Sequence, residues 1–170
     1  MRQVLLAFVL SIVSLGATAS TIYNVNRAVG DGSIVGMIEV SGTGVLSEGN
    51  ILDWNLLIDN GLDTFQFTSD NSRQLVGGQG LTATGSDLLF DFDVSGPRAS
   101  LFGFDSSNNT WCVEQAGCGG SYREYVMVNG VRTSELRTGV VVIGSVIPVP
   151  AAAWLFGSAL GLLGWLRRIK

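Results

Sequence analysis

The chain has 170 residues, of which 46% are hydrophobic and 14% are charged, and it contains no histidine. Six arginines, no lysine and all fourteen acidic residues lie between positions 21 and 147, so this part has a formal charge of −8, which disfavours binding to nucleic acid. Without histidine the usual general base and the commonest metal ligand are missing, so the composition favours a non-catalytic protein and predicts no cofactor and no metal.

The N-terminus has the three parts of a secretory signal peptide. Arg2 supplies a positive charge, an apolar run follows, and Ala17 and Ala19 place small side chains at the −3 and −1 positions of a cleavage site. The apolar run is short for a membrane span, which needs about 20 residues. Residues 1–19 are therefore predicted to be a signal peptide that is removed after Ala19, so that the mature chain begins at Ser20.

The central domain, residues 20–145, consists of short β-prone runs between turns rich in Gly, Asn and Asp. In residues 88–94 the apolar side chains share one face of a strand, and Asp91 and Asp93 share the other. The dipeptide Asn129-Gly130 predicts a tight hairpin. This spacing predicts an all-β fold, an antiparallel β-sandwich of about eight strands, although a closed barrel fits the same pattern. The predicted strands are 22–29, 34–40, 52–59, 64–68, 87–94, 100–104, 124–128 and 139–143.

Cys112 and Cys118 are the two cysteines of the chain, and they are predicted to lie, with Trp111, in a Gly-rich loop. An even number of cysteines in an exported chain predicts one small disulfide between them. A structural zinc site needs four ligands, and this pair has no nearby partners in the sequence.

The central domain also contains candidate sites for sugar chemistry. Trp111 and Tyr122 form a candidate platform for stacking against sugar rings, whereas Trp54 lies in an alternating apolar run and is expected in the core. The acidic residues are candidates for calcium binding, but they form no Asp-x-Asp-x-Asp-Gly loop. They are also candidates for glycoside hydrolysis, but no pair stands out. A carbohydrate-binding module is therefore the alternative function, and a hydrolase is the weaker hypothesis.

The C-terminus has the pattern of a membrane span. Residues 146–166 form an uncharged stretch of 21 residues, and this stretch is long enough for a transmembrane helix. Arg167, Arg168 and Lys170 follow, and such basic flanks stay on the cytoplasmic side of a membrane. The acidic domain is therefore predicted to lie outside the cytoplasmic membrane.

Residues 146–170 carry, in order, the strip Pro148-Val149-Pro150, an Ala-Ala-Ala-Trp-Leu-Phe-Gly-Ser segment, an apolar helix and a basic tail. This order of parts resembles the PEP-CTERM sorting signal. The resemblance implies recognition by an exosortase-like membrane enzyme, transient residence at the cytoplasmic membrane, and a final place at the cell surface or in an extracellular matrix of exopolysaccharide or biofilm. Val149 stands where the family's motif has Glu, so processing of the tail and a retained anchor both stay open.

Overall fold

The computed structural model describes residues 20–94, 108–114 and 123–147. In these three ranges the chain forms eleven β-strands, all paired in antiparallel fashion, and one short 3-10 helix. No helix within them is long and apolar enough to cross a membrane. The elements are β1 (Ser20–Val29), β2 (Gly32–Ser41), β3 (Gly44–Val45), the 3-10 helix (Glu48–Asn50), β4 (Ile51–Asp59), β5 (Thr64–Thr68), β6 (Leu81–Ala83), β7 (Asp87–Asp91), β8 (Thr110–Glu114), β9 (Arg123–Val128), β10 (Val131–Leu136) and β11 (Val140–Ser145).

The strands form one sheet of eight, in the order β3-β6-β7-β11-β1-β2-β4-β5, and one sheet of three, in the order β10-β9-β8. The longest pairing joins β1 and β2 over ten residue pairs, from Ser20 with Ser41 to Val29 with Gly32. Gly30, with a φ of 58°, allows the tight turn between them. The first strand β1 and the last strand β11 are neighbours in the larger sheet, so both described chain ends belong to its middle.

The core lies between the two sheets because apolar side chains alternate along the strands. On β1, Tyr23 and Val25 are buried while Ile22 is exposed. The smaller sheet contributes Trp111 and Val126, among others, to the same buried cluster as the larger sheet. The arrangement is therefore all-β and sandwich-like, with one shared core.

Most predicted strands are confirmed within the described residues. β5 has the predicted bounds, and β1, β2, β4, β7, β9 and β11 overlap their predicted ranges. The expected number of about eight strands is too low, because β3 and β6 are too short to show alternation and β8 lies in a segment predicted as a loop. β10 is foreseen only as the second arm of the hairpin at Asn129-Gly130. The predicted strand 100–104 lies outside the described residues.

The hairpin between β9 and β10 is confirmed in detail. Asn129 and Gly130 have φ values of 53° and 80°, the positive values that a two-residue type I′ turn requires at both central positions. Val128 pairs with Val131 on either side of the turn. The right-handed twist of this turn matches that of the strands that it joins, which is why Asn-Gly favours hairpins.

The side chain of Asn60 links this hairpin to the larger sheet through hydrogen bonds. It lies after β4, is 4% exposed, and its side-chain amide donates to the carbonyl oxygens of Val128 at 3.1 Å and Val131 at 3.0 Å. Its side-chain oxygen accepts from the backbone N–H groups of Leu62 at 2.9 Å and Asp63 at 2.8 Å. All the polar atoms of a buried amide are thus satisfied, and the two sheets are tied together near the turn.

Candidate functional site

The larger sheet opens between β1 and β11. Their ladder contains a single residue pair, Asn24 with Ser145, whereas β11 pairs with β7 at five positions. Beyond that pair the two strands separate and leave a groove of about 660 Å³. A gap inside a sheet exposes backbone groups that would otherwise pair, so these groups need other partners.

The groove between β1 and β11 is polar on one side and apolar on the other. Its residues come from β1, from β11 and from the segment around the end of β10. The polar side is formed by Asn24, Asn26, Arg27, Glu135 and Arg137, and the apolar side by residues such as Val142.

Arg27 spans the opening and reaches a buried carboxylate. Its Nε donates to Oε1 of Glu124 at 2.8 Å, and its Nη2 contacts Oε2 of the same residue, which makes a two-point ion pair. Its Nη1 donates to the carbonyl oxygen of Val142 on β11. The Glu124 side chain is fully buried and that of Arg27 is 9% exposed, so the pair is shielded from water. Arg27 therefore satisfies one of the backbone groups that the separation of β1 and β11 leaves open.

Arg137 holds the other side of the opening. Its Nη2 donates to the carbonyl oxygen of Ala28 on β1 at 2.7 Å, and its Nε donates to Oε2 of Glu124 at 3.1 Å. Its Nη1 donates to Glu135 at 3.0 Å. The two arginines, Arg27 and Arg137, and the two glutamates, Glu124 and Glu135, together carry no net formal charge. This cluster therefore gives the groove no excess positive charge that would attract anions. The cluster joins β1, β9 and β11 across the sandwich.

Trp111 belongs to the same buried cluster, which corrects the prediction for this residue. Trp111 lies on β8 rather than in a loop, is fully buried, and its indole Nε1 donates to Oε1 of Glu124 at 3.1 Å. Its ring faces are covered by the core, so they are not available for stacking on a sugar. Tyr122, the second residue of the candidate platform, lies outside the described residues. The prediction for Trp54 is confirmed, since it is 5% exposed.

Cys112 lies beside Trp111 on β8 and is 1% exposed. No cysteine within the described part of the chain is free. Cys118 lies outside the described residues, so its pairing with Cys112 stays a prediction.

The two described ends of the domain meet at one end of the larger sheet. Ser20 begins β1, and Ile147 follows β11, which runs antiparallel to β1. Another groove of about 470 Å³ opens there, lined by residues that include Ser20, Ile22, Met37 and Ile147. It shares residues with the groove between β1 and β11, so the two are continuous.

The remaining predicted site residues lie outside the described ranges, and their roles stay predictions. They are Ala17 and Ala19 of the cleavage site, Pro148, Val149 and Pro150 of the sorting motif, and Arg167, Arg168 and Lys170 of the basic tail.

The acidic residues of the described domain do not gather into a metal site. No group of three or more His, Cys, Asp or Glu residues in the described ranges is placed to hold a metal ion. Asp91, the last residue of β7, is half-buried, and Asp93 is exposed in the turn that follows, so the strand is shorter than the predicted range 87–94. Asp87 accepts hydrogen bonds from the hydroxyls of Ser145 and Ser86, both at 2.6 Å, and these bonds hold the pKa of its carboxyl below the usual range.

Comparisons with known protein families, with curated proteins and with solved structures found no match to this chain.

Sequence reasoning missed the ion cluster at the opening. Glu124 alternates with Val126 and Val128, both of which are buried, so the period of the strand already places a charged residue on the inner face. A carboxylate at an inward position predicts a buried cation partner, because an unpaired charge in a core is strongly unfavourable. The pattern does not name that partner, since Arg27 lies 97 residues earlier in the chain.

Proposed function

We propose that this chain is the precursor of an exported, non-catalytic surface or extracellular-matrix protein. Residues 1–19 direct export, and residues 146–170 act as a PEP-CTERM-like signal that sorts or anchors the protein at the cytoplasmic membrane with the acidic domain outside. An exosortase-like membrane enzyme is the proposed partner for the tail, and the cell surface or an exopolysaccharide matrix is the proposed destination.

The positions of the first and last described strands, β1 and β11, support this proposal most strongly. The described strands run from β1, Ser20–Val29, to β11, Val140–Ser145, so all of them lie between the predicted cleavage site and the proline strip. Loss of residues 1–19 and of residues 148–170 would leave all eleven described strands in place. A domain whose described strands all lie between the two proposed processing sites is suited to be released as a folded unit.

A non-catalytic role is supported by the engagement of the most buried acid. Glu124 is fully buried and receives donors from Arg27, Arg137 and Trp111. A carboxylate that is buried and held by three donors has no free path to a substrate, so it is a poor general acid or base. The ion cluster is better suited to holding β1, β9 and β11 in place.

The alternative, a carbohydrate-binding module, loses its main support with the burial of Trp111. The groove between β1 and β11 offers the amides of Asn24 and Asn26, but no aromatic residue from the described ranges lines it. Sugar binding usually combines such hydrogen-bonding groups with an aromatic face, so this function ranks second.

Cell fractionation with and without the exosortase-like enzyme tests the proposal. With the enzyme, the wild-type protein should move from the membrane fraction to the surface or matrix fraction. A Pro148→Ala/Pro150→Ala variant should stay in the membrane fraction, and Pro97→Ala, at the third proline, should behave like wild type. Equal distribution with and without the enzyme would leave a plain anchor, and recovery from the cytoplasm would refute export.

A further inference from the structure

We infer that the end of the domain from which both chain ends leave rests on the lipid surface of the membrane. The contact surface, here called the exit surface, consists of Ser20, Ile22, Met37, Val146 and Ile147. This inference rests on the proposed anchoring of the tail, and it names lipid as the partner of this surface.

The spacing between the domain and the tail brings the exit surface close to the membrane. Three residues, 148–150, separate Ile147 from the apolar run that begins at Ala151. Three extended residues reach about 11 Å, which is less than the thickness of a small domain. In the precursor the predicted signal peptide, residues 1–19, immediately precedes Ser20, the first described residue of β1, at the same end. Both apolar segments therefore hold the same face of the domain towards the bilayer.

The exit surface has the chemistry of a lipid contact. Its apolar side chains are strongly exposed: Ile147 is 65%, Ile22 47% and Met37 45% accessible. Among the described residues, none that lines the groove at this end is charged, although residues 21–147 carry a formal net charge of −8. An uncharged, apolar surface avoids repulsion from anionic headgroups and gains from contact with acyl chains.

Pairing across the strands shows that the apolar side chains are contiguous. Asn24 lies opposite Met37, and Ile22 lies opposite Glu39, so Ile22 and Met37 are diagonal neighbours on the outer face of the sheet. Glu39, directly opposite Ile22 on the same face, and Asp87, which is bonded to Ser145, are acidic neighbours of the exit surface. After cleavage the new α-ammonium group of Ser20 would add a positive charge beside the lipid phosphates.

Methionine oxidation by peroxide tests this orientation on the full chain, because a thioether reacts when solvent reaches it. The protein is placed in vesicles of phosphatidylethanolamine with a minority of phosphatidylglycerol, and flotation with the vesicles is measured first. The matched variant carries a Gly/Ser insertion of about 12 residues between Ile147 and Pro148, which separates domain and membrane by roughly 20 Å. Met127, half-buried on β9, is the internal control.

Met37 should oxidise several-fold more slowly in the wild-type chain than in the insertion variant, while Met127 oxidises at the same rate in both. If both chains float with the vesicles but Met37 oxidises at the same rate in both, the lipid contact is overturned while the anchor stands. A lack of flotation would overturn the anchor and this inference together. Met37 could also be protected by a second copy of the chain. In that case its protection from oxidation would be lost when the ratio of protein to lipid is lowered, and this result would overturn the lipid contact.

Discussion

The indole N–H of Trp111 and the guanidinium of Arg27 both donate to the same oxygen of Glu124, at 3.1 Å and 2.8 Å. Trp111 comes from the smaller sheet and Arg27 from the larger one. The buried carboxylate between them therefore acts as a common acceptor that joins the two sheets.

Substitution Glu124→Gln should destabilise the domain strongly. The guanidinium of Arg27, 9% exposed, would lose its countercharge in a dry environment, which we expect to lower the free energy of unfolding by about 3–5 kcal/mol. Urea denaturation measures the change. Glu135→Gln is the control, because Glu135 is 42% exposed and an exposed ion pair contributes about 0.5 kcal/mol. Similar losses for both variants would show that Glu124 is not a buried link.

Substitution Asn60→Asp tests the link between the β4–β5 turn and the β9–β10 hairpin. A carboxylate cannot donate to the carbonyl oxygens of Val128 and Val131, so both would lose a partner in a buried site. We expect a loss of about 2–3 kcal/mol in unfolding free energy, measured by urea denaturation. Asn55→Asp is the matched control, since Asn55 is exposed and its side chain accepts a hydrogen bond there. Equal stability of the two variants would contradict the role of Asn60.

Substitution Gly144→Ala tests the close approach of β1 and β11. An added Cβ would lie 2.9 Å from the carbonyl oxygen of Asn24, so the strands would have to move apart at their one residue pair. We expect a loss of about 1–3 kcal/mol and faster amide exchange along β1. Gly85→Ala is the control because no atom lies within 4 Å of its added Cβ. A neutral Gly144→Ala variant would mean that the two strands are less tightly apposed.

The hydroxyl of Ser145 makes a testable contribution to the ionisation of Asp87. Removing this donor with Ser145→Ala should raise the pKa of Asp87 towards its usual value of about 3.9. Because the folded pKa is lowered, Asp87 stabilises the wild-type fold above about pH 3.9, and this contribution is lost as the pH falls through the folded pKa. An NMR titration of the carboxyl carbon measures both variants. Ser33→Ala, at the other end of the β1–β2 pair, should leave the titration unchanged. An unchanged pKa in Ser145→Ala would contradict the assigned cause.

The fold was predictable from the sequence where local patterns decide it. The alternation in residues 88–94 and the Asn129-Gly130 turn predict a strand and a hairpin that the structure contains. The position of β11 beside β1 was not predictable, because it depends on pairing between residues about 120 apart in the chain. β3 has two residues and β6 three, so neither can show a period.

The candidate site was harder to predict than the fold. The sequence suggested that Trp111 is accessible because it lies beside Cys112 near a Gly-rich run, whereas its size and the partner at Glu124 favour burial. The ion cluster draws on β1, β9 and the residue after β10, and no local spacing brings these together. Its single visible signal was the inward register of Glu124.

Intact-mass measurement of the protein recovered from its producing cells tests export and sorting most directly. The expected mass corresponds to a chain that begins at Ser20. When the exosortase-like enzyme is active, this chain should lose C-terminal residues and its mass should be lower. In cells without that enzyme the chain should extend from Ser20 to Lys170 in the membrane fraction. A chain that retains residues 1–19 and has the same mass with and without the enzyme would contradict both export by a cleaved signal and sorting by the tail.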